Sequence, residues 1–154
     1  MEINIIIFIN LLAYSIIVSQ SFSYIIALTD VQKNLSAASY IELRKLLDAN
    51  FRKKFGIVVY TTLISSTLLT VLSAMNPTCL LFISSAIGLA ALIIDILLML
   101  KGNMPINNMI NTWTSENHPA DWKSYRAKWL STFKKRQIAN IIGFLSILIG
   151  AVFG

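Results

Sequence analysis

The chain has 154 residues, of which 56% are hydrophobic and only 13% charged, about half the charged share of an ordinary soluble domain. Thirteen Lys and Arg against seven Asp and Glu give a net +6. That surplus stands between long apolar runs instead of across a polar surface, which speaks for contact with membrane lipid and against nucleic acid. A single cysteine, Cys79, excludes an intrachain disulfide, and the lone His118 excludes a His/Cys metal cluster. No glycine-rich loop follows a strand to cradle a nucleotide, so neither a metal nor a cofactor is expected.

Four apolar segments, 3–28, 56–74, 79–100 and 138–153, organise residues 1–154 as one domain. A helix crosses the hydrocarbon core with roughly 17 to 25 such residues. Three segments meet that length, and the last does so if the basic turn before it, residues 134–137, snorkels at the interface. The expected fold is all-α, an integral membrane four-helix bundle. Segment one opens with Glu2 instead of basic residues and lacks a small-x-small cleavage site, so it is expected to stay as an anchor and not to be removed as a signal.

In the loop after segment one, Ser36 is placed to cap a helix bearing Tyr40, Leu43, Leu47 and Phe51 on one face. Glu42 with Lys45, and Arg44 with Asp48, stand there at helix-neighbour spacing. This helix is expected to run straight into segment two, whose many Ser and Thr hydroxyls have their own backbone as natural partners. Met75, Asn76, Pro77 and Thr78 form a turn cluster that makes segments two and three a hairpin. After segment three, Gly102, Pro105 and the Asn-rich stretch are expected to resist helix formation until His118 and Pro119, from which a helix runs into segment four. Helices two and four should therefore project from the bilayer into the cytoplasm.

All the basic residues fall in two loops. Lys33, Arg44, Lys45, Arg52, Lys53 and Lys54 come after segment one, and Lys101, Lys123, Arg126, Lys128, Lys134, Lys135 and Arg136 after segment three. The positive-inside rule puts both loops in the cytoplasm and both termini outside.

Asp95 is the one ionisable residue well inside a segment, roughly 9 Å along the helix from Lys101 at about 1.5 Å per residue. A carboxylate there, close to the negative end of a helix dipole, needs a donor or a proton. Ser84, Gly88, Ala91 and Asp95 share a face of small residues, which turns Asp95 toward protein. The start of segment four supplies partners: Trp122, Arg126, Trp129, Phe133, Arg136 and Asn140 advance by 4, 3, 4, 3 and 4 and form one stripe. Because segments three and four are antiparallel, Arg136 and Asn140 bracket the depth of Asp95. The pair is readable as a device that fixes helix register or as a proton-handling or ligand-orienting group. The stripe is readable as bundle core or as the aromatic floor of a cavity. In segment one, Asn10, Tyr14, Ser21 and Tyr24 fall on one side, opposite Ser15, Ser19 and Ser23.

Asn103, Pro105 and Asn107, then Trp113, then Arg126, Trp129 and Arg136, together resemble the signature of the anthrone oxygenase-like membrane family. There an Asn-x-Pro-Ile-Asn stretch comes after the third of four membrane helices, and an Arg-x-x-Trp pair with a further arginine opens the fourth. The resemblance implies a four-helix membrane protein and, by extension from a few members, oxidation of an anthrone to an anthraquinone by molecular oxygen without a cofactor. The leading reading is a cytoplasm-facing pocket for an apolar aromatic or quinone-like molecule, in which Arg126 or Arg136 stabilises a developing oxyanion and Asp95 holds the arginine in place. Asn103, Asn107, Trp113, Trp129 and Asn140 bind the substrate, and Trp129 stacks on its ring. The competing readings are a non-enzymatic accessory subunit bound to a partner or to anionic lipid, and a small four-helix transporter, although that class usually carries a carboxylate in its first helix and this one has none between Ile3 and Leu28.

The orientation is open to a direct test. With both termini and Cys79 outside, a membrane-impermeant thiol reagent labels Cys79 in intact cells. Labelling confined to breached membranes would reverse the topology.

Overall fold

Ser36 makes the first break in the helical chain. Its backbone is extended, at φ −62° and ψ 165°, and its hydroxyl accepts the Ser39 N–H at 3.3 Å, which satisfies one of the free donors at a helix start. A computed structural model describes residues 2–75 and 79–154; Asn76, Pro77 and Thr78 of the expected hairpin turn lie outside the described residues. Before the break stand α1 (Glu2–Ser23), a π-helical turn (Tyr24–Leu28) and α2 (Thr29–Asn34), joined end to end without a loop. After it comes α3 (Ala37–Ser73), a single helix of 37 residues, as expected from the cap and the apolar face. Cys79 is extended, its thiol accepts the Phe82 N–H at 3.3 Å, and α4 (Leu80–Leu98) begins. A second π-helical turn (Met99–Asn103) leads into α5 (Met104–Thr112), and α6 (Trp122–Phe153) completes the chain.

One expectation is overturned. Residues 102–112 do not resist a helix. Pro105 falls in the first turn of α5, directly after the π-helical turn, so the residue that cannot donate and the irregular turn stand together. Gly102 sits inside the π-helical turn because a Cβ there would come within 2.5 Å of the Thr132 methyl. The two residues that read as breakers stand at a close approach and just after the π-helical turn, inside a helix that does not break.

Among the described residues, four helical stretches are long and apolar enough to cross a membrane: Ile3–Asn34, Ala37–Ser73, Leu80–Thr112 and Trp122–Phe153. Their outward faces are hydrocarbon. Phe8, Ile26, Ile57, Val71 and Val152 are each more than half exposed, at 67%, 80%, 73%, 62% and 62%, a distribution that only lipid or another apolar surface covers favourably. This is the make-up of a multi-pass membrane protein. At about 1.5 Å per residue α3 is about 55 Å long and α6 about 48 Å, against about 30 Å of hydrocarbon, so both exceed a bilayer core.

The helices form an antiparallel ring in which α1 touches α3 and α6, and α4 touches α3 and α6. The α4–α6 seam is the closest. A Cβ on Gly88 would meet Ile147 at 2.5 Å, and one on Gly150 would meet Ser84 at 2.6 Å. Side-chain bulk is excluded so that backbones can approach, the usual source of attraction where lipid supplies no hydrophobic drive. Two apolar cores result. One holds Tyr14, Ile17, Leu69, Leu92 and Ile147 in mid-bundle. The other is aromatic and gathers Tyr24, Tyr40, Trp113, Trp122, Trp129 and Phe133 at the end where α2, α5 and the start of α6 meet.

Asn10, Tyr14, Ser21 and Tyr24 of the first helical stretch are all buried on one side, as their spacing predicts. Asn10 donates to the hydroxyls of Ser65 and Ser66 at 2.9 and 2.7 Å, while Ser15, Ser19 and Ser23 bond their own backbone on the other side.

Gly143 is the most confined glycine, since a Cβ would lie 1.9 Å from the Tyr14 hydroxyl and 3.0 Å from Ala91. Gly143→Ala is expected to expel the Tyr14 ring and to lower stability by about 1–3 kcal/mol, read as a fall in melting temperature in detergent. Gly56→Ala, which meets nothing within 4 Å, is the matched control.

Candidate functional site

Asp95 and Arg136 meet inside the bundle. Asp95 is 3% and Arg136 6% exposed. The Arg136 Nε donates to Asp95 Oδ1 at 2.7 Å and Nη2 to Oδ2 at 3.3 Å, and Asn140 Nδ2 adds a bond to Oδ1 at 3.2 Å. Both partners expected from the stripe are therefore present. The remaining nitrogen, Nη1, donates to Asn103 Oδ1 at 3.4 Å, and Asn103 Nδ2 donates to the Trp129 carbonyl at 3.0 Å. The π-helical turn brings Asn103 into this position. Such turns insert one residue into a helix and re-aim the side chains after it, often beside a functional site.

A second polar cluster lies farther along α3, and its centre is Asn107. The Asn107 Oδ1 accepts from Arg44 Nη2 at 2.7 Å and from the Trp129 indole N–H at 2.9 Å, and its Nδ2 donates to Asp48 Oδ1 at 2.9 Å. The other Asp48 oxygen takes Asn111 Nδ2 and Arg52 Nε, both at 2.8 Å. Arg44 and Asp48 are thus bridged by an amide and do not form a direct ion pair, and the carboxylate bonds Arg52 one turn on. Arg44 lies in the part of α3 that precedes the apolar stretch. Burial pulls its pKa below the ordinary guanidinium value, countered in part by Tyr24, Tyr40 and Asp48.

Between these two clusters lies a cavity of about 400 Å³, within the range of small-molecule sites. Its apolar wall comes from Phe51, Phe55, Val59 and Leu63 of α3 and from Ile96 and Met99 on the facing side, and its polar end from Arg44, Asp48, Arg52, Asn103, Asn107 and Arg136. Tyr60 and Leu100 stand at its rim, 68% and 49% exposed. Both belong to the apolar segments, whereas Phe51 and Arg52, which also line the cavity and are exposed, belong to the basic part of α3 before them. Gly56 lines the cavity and has nothing within 4 Å of the place a Cβ would take.

Of the residues marked by the sequence, Asn103, Asn107, Trp129 and Arg136 line the cavity. Asp95 and Asn140 stand behind Arg136. Arg126 and Trp113 are elsewhere. Arg126 donates to the carbonyls of Gln32 and Leu35 at 2.9 and 3.1 Å and lies 4.6 Å over the Trp122 ring, so it clamps the end of α2 to α6. Trp113 packs edge-on against Tyr125 at 5.3 Å, and its carbonyl accepts from Lys45.

Trp129 has protein neighbours packed against its ring. The Arg44 guanidinium lies 3.8 Å over its ring, and the Phe133 ring is nearly parallel to it, 14° off at 5.0 Å.

Sequence reasoning missed Arg44, Asp48 and Arg52 as site residues. Their i, i+4 spacing was visible, but spacing alone reads as a solvated helix face. The signal that distinguishes them is the Asn107 side chain of a distant helix, reachable only once α5 is known to be helical.

Comparison with protein-family models, with curated proteins and with solved structures finds no match to this chain.

Removing one partner of the buried pair isolates its energetics. Asp95→Leu leaves the Arg136 charge unanswered and is expected to cost about 3–5 kcal/mol, with Asp95→Lys worse. The double change Asp95→Leu with Arg136→Met is expected to restore most of the loss, which a thermal-unfolding double-mutant cycle measures.

Proposed function

We propose that this chain is a membrane-embedded binding protein whose cavity takes an apolar aromatic or quinone-like molecule, admitted from the lipid between α3 and α4. The observation that carries the reading is the cavity itself, with hydrocarbon on one wall and placed guanidinium and amide groups at its end. Apolar walls supply most of the affinity for such ligands, and a few fixed donors set their orientation. In the same reading the basic end of the bundle faces the cytoplasm, supported by the confinement of every Lys and Arg to the two loops and helix extensions at that end. Lys53, Lys54, Lys134 and Lys135 are exposed there and suit anionic headgroups.

Oxidation of the bound molecule is the second reading, in keeping with the anthrone oxygenase-like signature. Arg44 and Arg136 line one cavity, where guanidinium groups would stabilise an enolate or phenolate oxygen as it forms and ease its reaction with oxygen. Asp48, the one carboxylate on the cavity wall among the described residues, already accepts three hydrogen bonds. The geometry therefore favours binding ahead of proton abstraction.

The test is a fluorescence titration of the purified protein in micelles with anthrone- and quinone-type compounds. Trp129 is the only one of the three tryptophans on the cavity wall, so quenching is expected to be partial and to vanish in Trp129→Phe. Gly56→Leu, which fills open space, is expected to weaken binding about tenfold or more at an unchanged melting temperature. Wild-type affinity in Gly56→Leu removes the cavity as the site, and an unchanged rate of oxygen uptake on adding protein to anthrone removes the oxidase reading alone.

A further inference from the structure

The charges around the cavity do not balance. Three guanidinium groups reach its wall, those of Arg44, Arg52 and Arg136. Arg52 is answered by Asp48 at 2.8 Å and Arg136 by Asp95 at 2.7 Å. Arg44 has no carboxylate within ion-pair distance among the described residues. Its nitrogens meet only the neutral oxygens of Asn107, at 2.7 Å, and Tyr24, at 3.4 Å, while Nε has no partner. Yet Arg44 is only 5% exposed. A guanidinium cannot shed its proton as a lysine can, and a buried charge needs a counter-ion or strong polar contacts. The Trp129 ring beneath it, 3.8 Å away, compensates in part and leaves a net positive charge facing the space.

We infer that the cavity takes its ligand as a monoanion, an amphiphile with an apolar body and one carboxylate or ionised phenol, for which Arg44 is the counter-ion. This rests on the ligand-binding reading above and adds the charge state and the residue that selects it. Only one guanidinium lacks an acidic partner, so one negative charge fits and a second would have to compete with Asp48 or Asp95. The apolar wall formed by Phe55, Val59, Leu63 and Ile96 suits the body of such a molecule. The exposed rim runs from Tyr60 and Leu100 in the apolar segments to Phe51 and Arg52 in the basic part of α3, an order that matches an amphiphile with its body in hydrocarbon and its acidic head near the interface. The planar fork of Arg44 can take two oxygens of a carboxylate or one phenolate oxygen, which a lysine at the same place would meet only as a point charge.

The experiment compares two fluorescent probes of the same body, 1-pyrenebutanoate and the uncharged 1-pyrenebutanol, binding to the full-length protein in nonionic micelles at neutral pH and low salt. Wild-type protein is expected to prefer the carboxylate by about tenfold or more. Arg44→Gln brings the two probes to parity, Arg44→Lys keeps a reduced preference, and Gly56→Leu weakens both. The wild-type comparison stands even if an Arg44 variant fails to fold. Competition with dodecanoate separates two sources of the same head chemistry: displacement of the probe admits a lipid-derived acid, and its retention restricts the site to ring-bearing acids. Equal binding of both probes to the wild type, or an undiminished carboxylate preference in folded Arg44→Gln, overturns the inference and leaves the cavity as a binding site. If neither probe binds and no quinone-type compound does, the ligand-binding reading itself falls.

Discussion

The ion pair between Asp95 and Arg136 is the constraint on which the site depends. It fixes α4 against α6 together with the approach of backbones at Gly88, Gly143 and Gly150 and the core shared by Leu92 and Ile147. Close packing alone sets a distance between helices but resists sliding weakly. A bidentate contact, with a third bond from Asn140, sets the register as well, because a shift by one turn would strand a carboxylate and a guanidinium in hydrocarbon. With the register set, Trp129 and Phe133 fall opposite the π-helical turn, and Asn103 and Asn107 can reach them.

Asn107 does for α3 and α5 what Asp95 does for α4. A neutral amide offers both a donor and an acceptor, so it can bind a guanidinium, an indole N–H and a carboxylate at once. Neither aspartate nor leucine of similar size has that combination. The amide keeps Arg44 and Asp48 from neutralising each other directly, and Asp48 is left to Arg52 and Asn111. In this way the arrangement keeps a positive charge inside an otherwise apolar protein.

Much of the architecture is legible in the sequence, and the boundary is physical. Hydrophobic length places four helices, the Ser36 cap and the uninterrupted pattern after it place α3, and helical periodicity places Asp95 against Arg136 and Asn140. Those signals are local or need only the antiparallel order of neighbours. The helix at 104–112 is hidden because Gly102 and Pro105 usually end helices. Room for Thr132, the role of Gly102, is visible only with α6 in place, and Pro105 follows a π-helical turn that no local signal announces. The cavity is hidden for the same kind of reason. Arg44, Asp48 and Arg52 look like a solvated face until α5 covers it, and Trp129 looks like an open aromatic platform until Arg44 and Phe133 are seen packed against its ring.

The confinement of the α4–α6 seam also divides the molecule by how freely it can vary. On the outer faces, positions such as Phe8, Ile57 and Val152 meet only acyl chains, which do not discriminate among Leu, Ile, Val and Phe, so those positions can drift without altering the fold. Along the seam, any side chain added at Gly88, Gly143 or Gly150 meets an atom already in place. Variation in this chain should therefore accumulate on its lipid side while α4 and α6 stay nearly fixed toward each other. The polar end of the cavity is built largely from buried side chains that hold one another, Arg44 and Asp48 on α3 and Asn103 and Arg136 beside the fixed pair, whereas the apolar wall on α3 belongs in part to the variable side. A lineage of such proteins could thus change the ligand body it accepts while keeping the chemistry that holds its head.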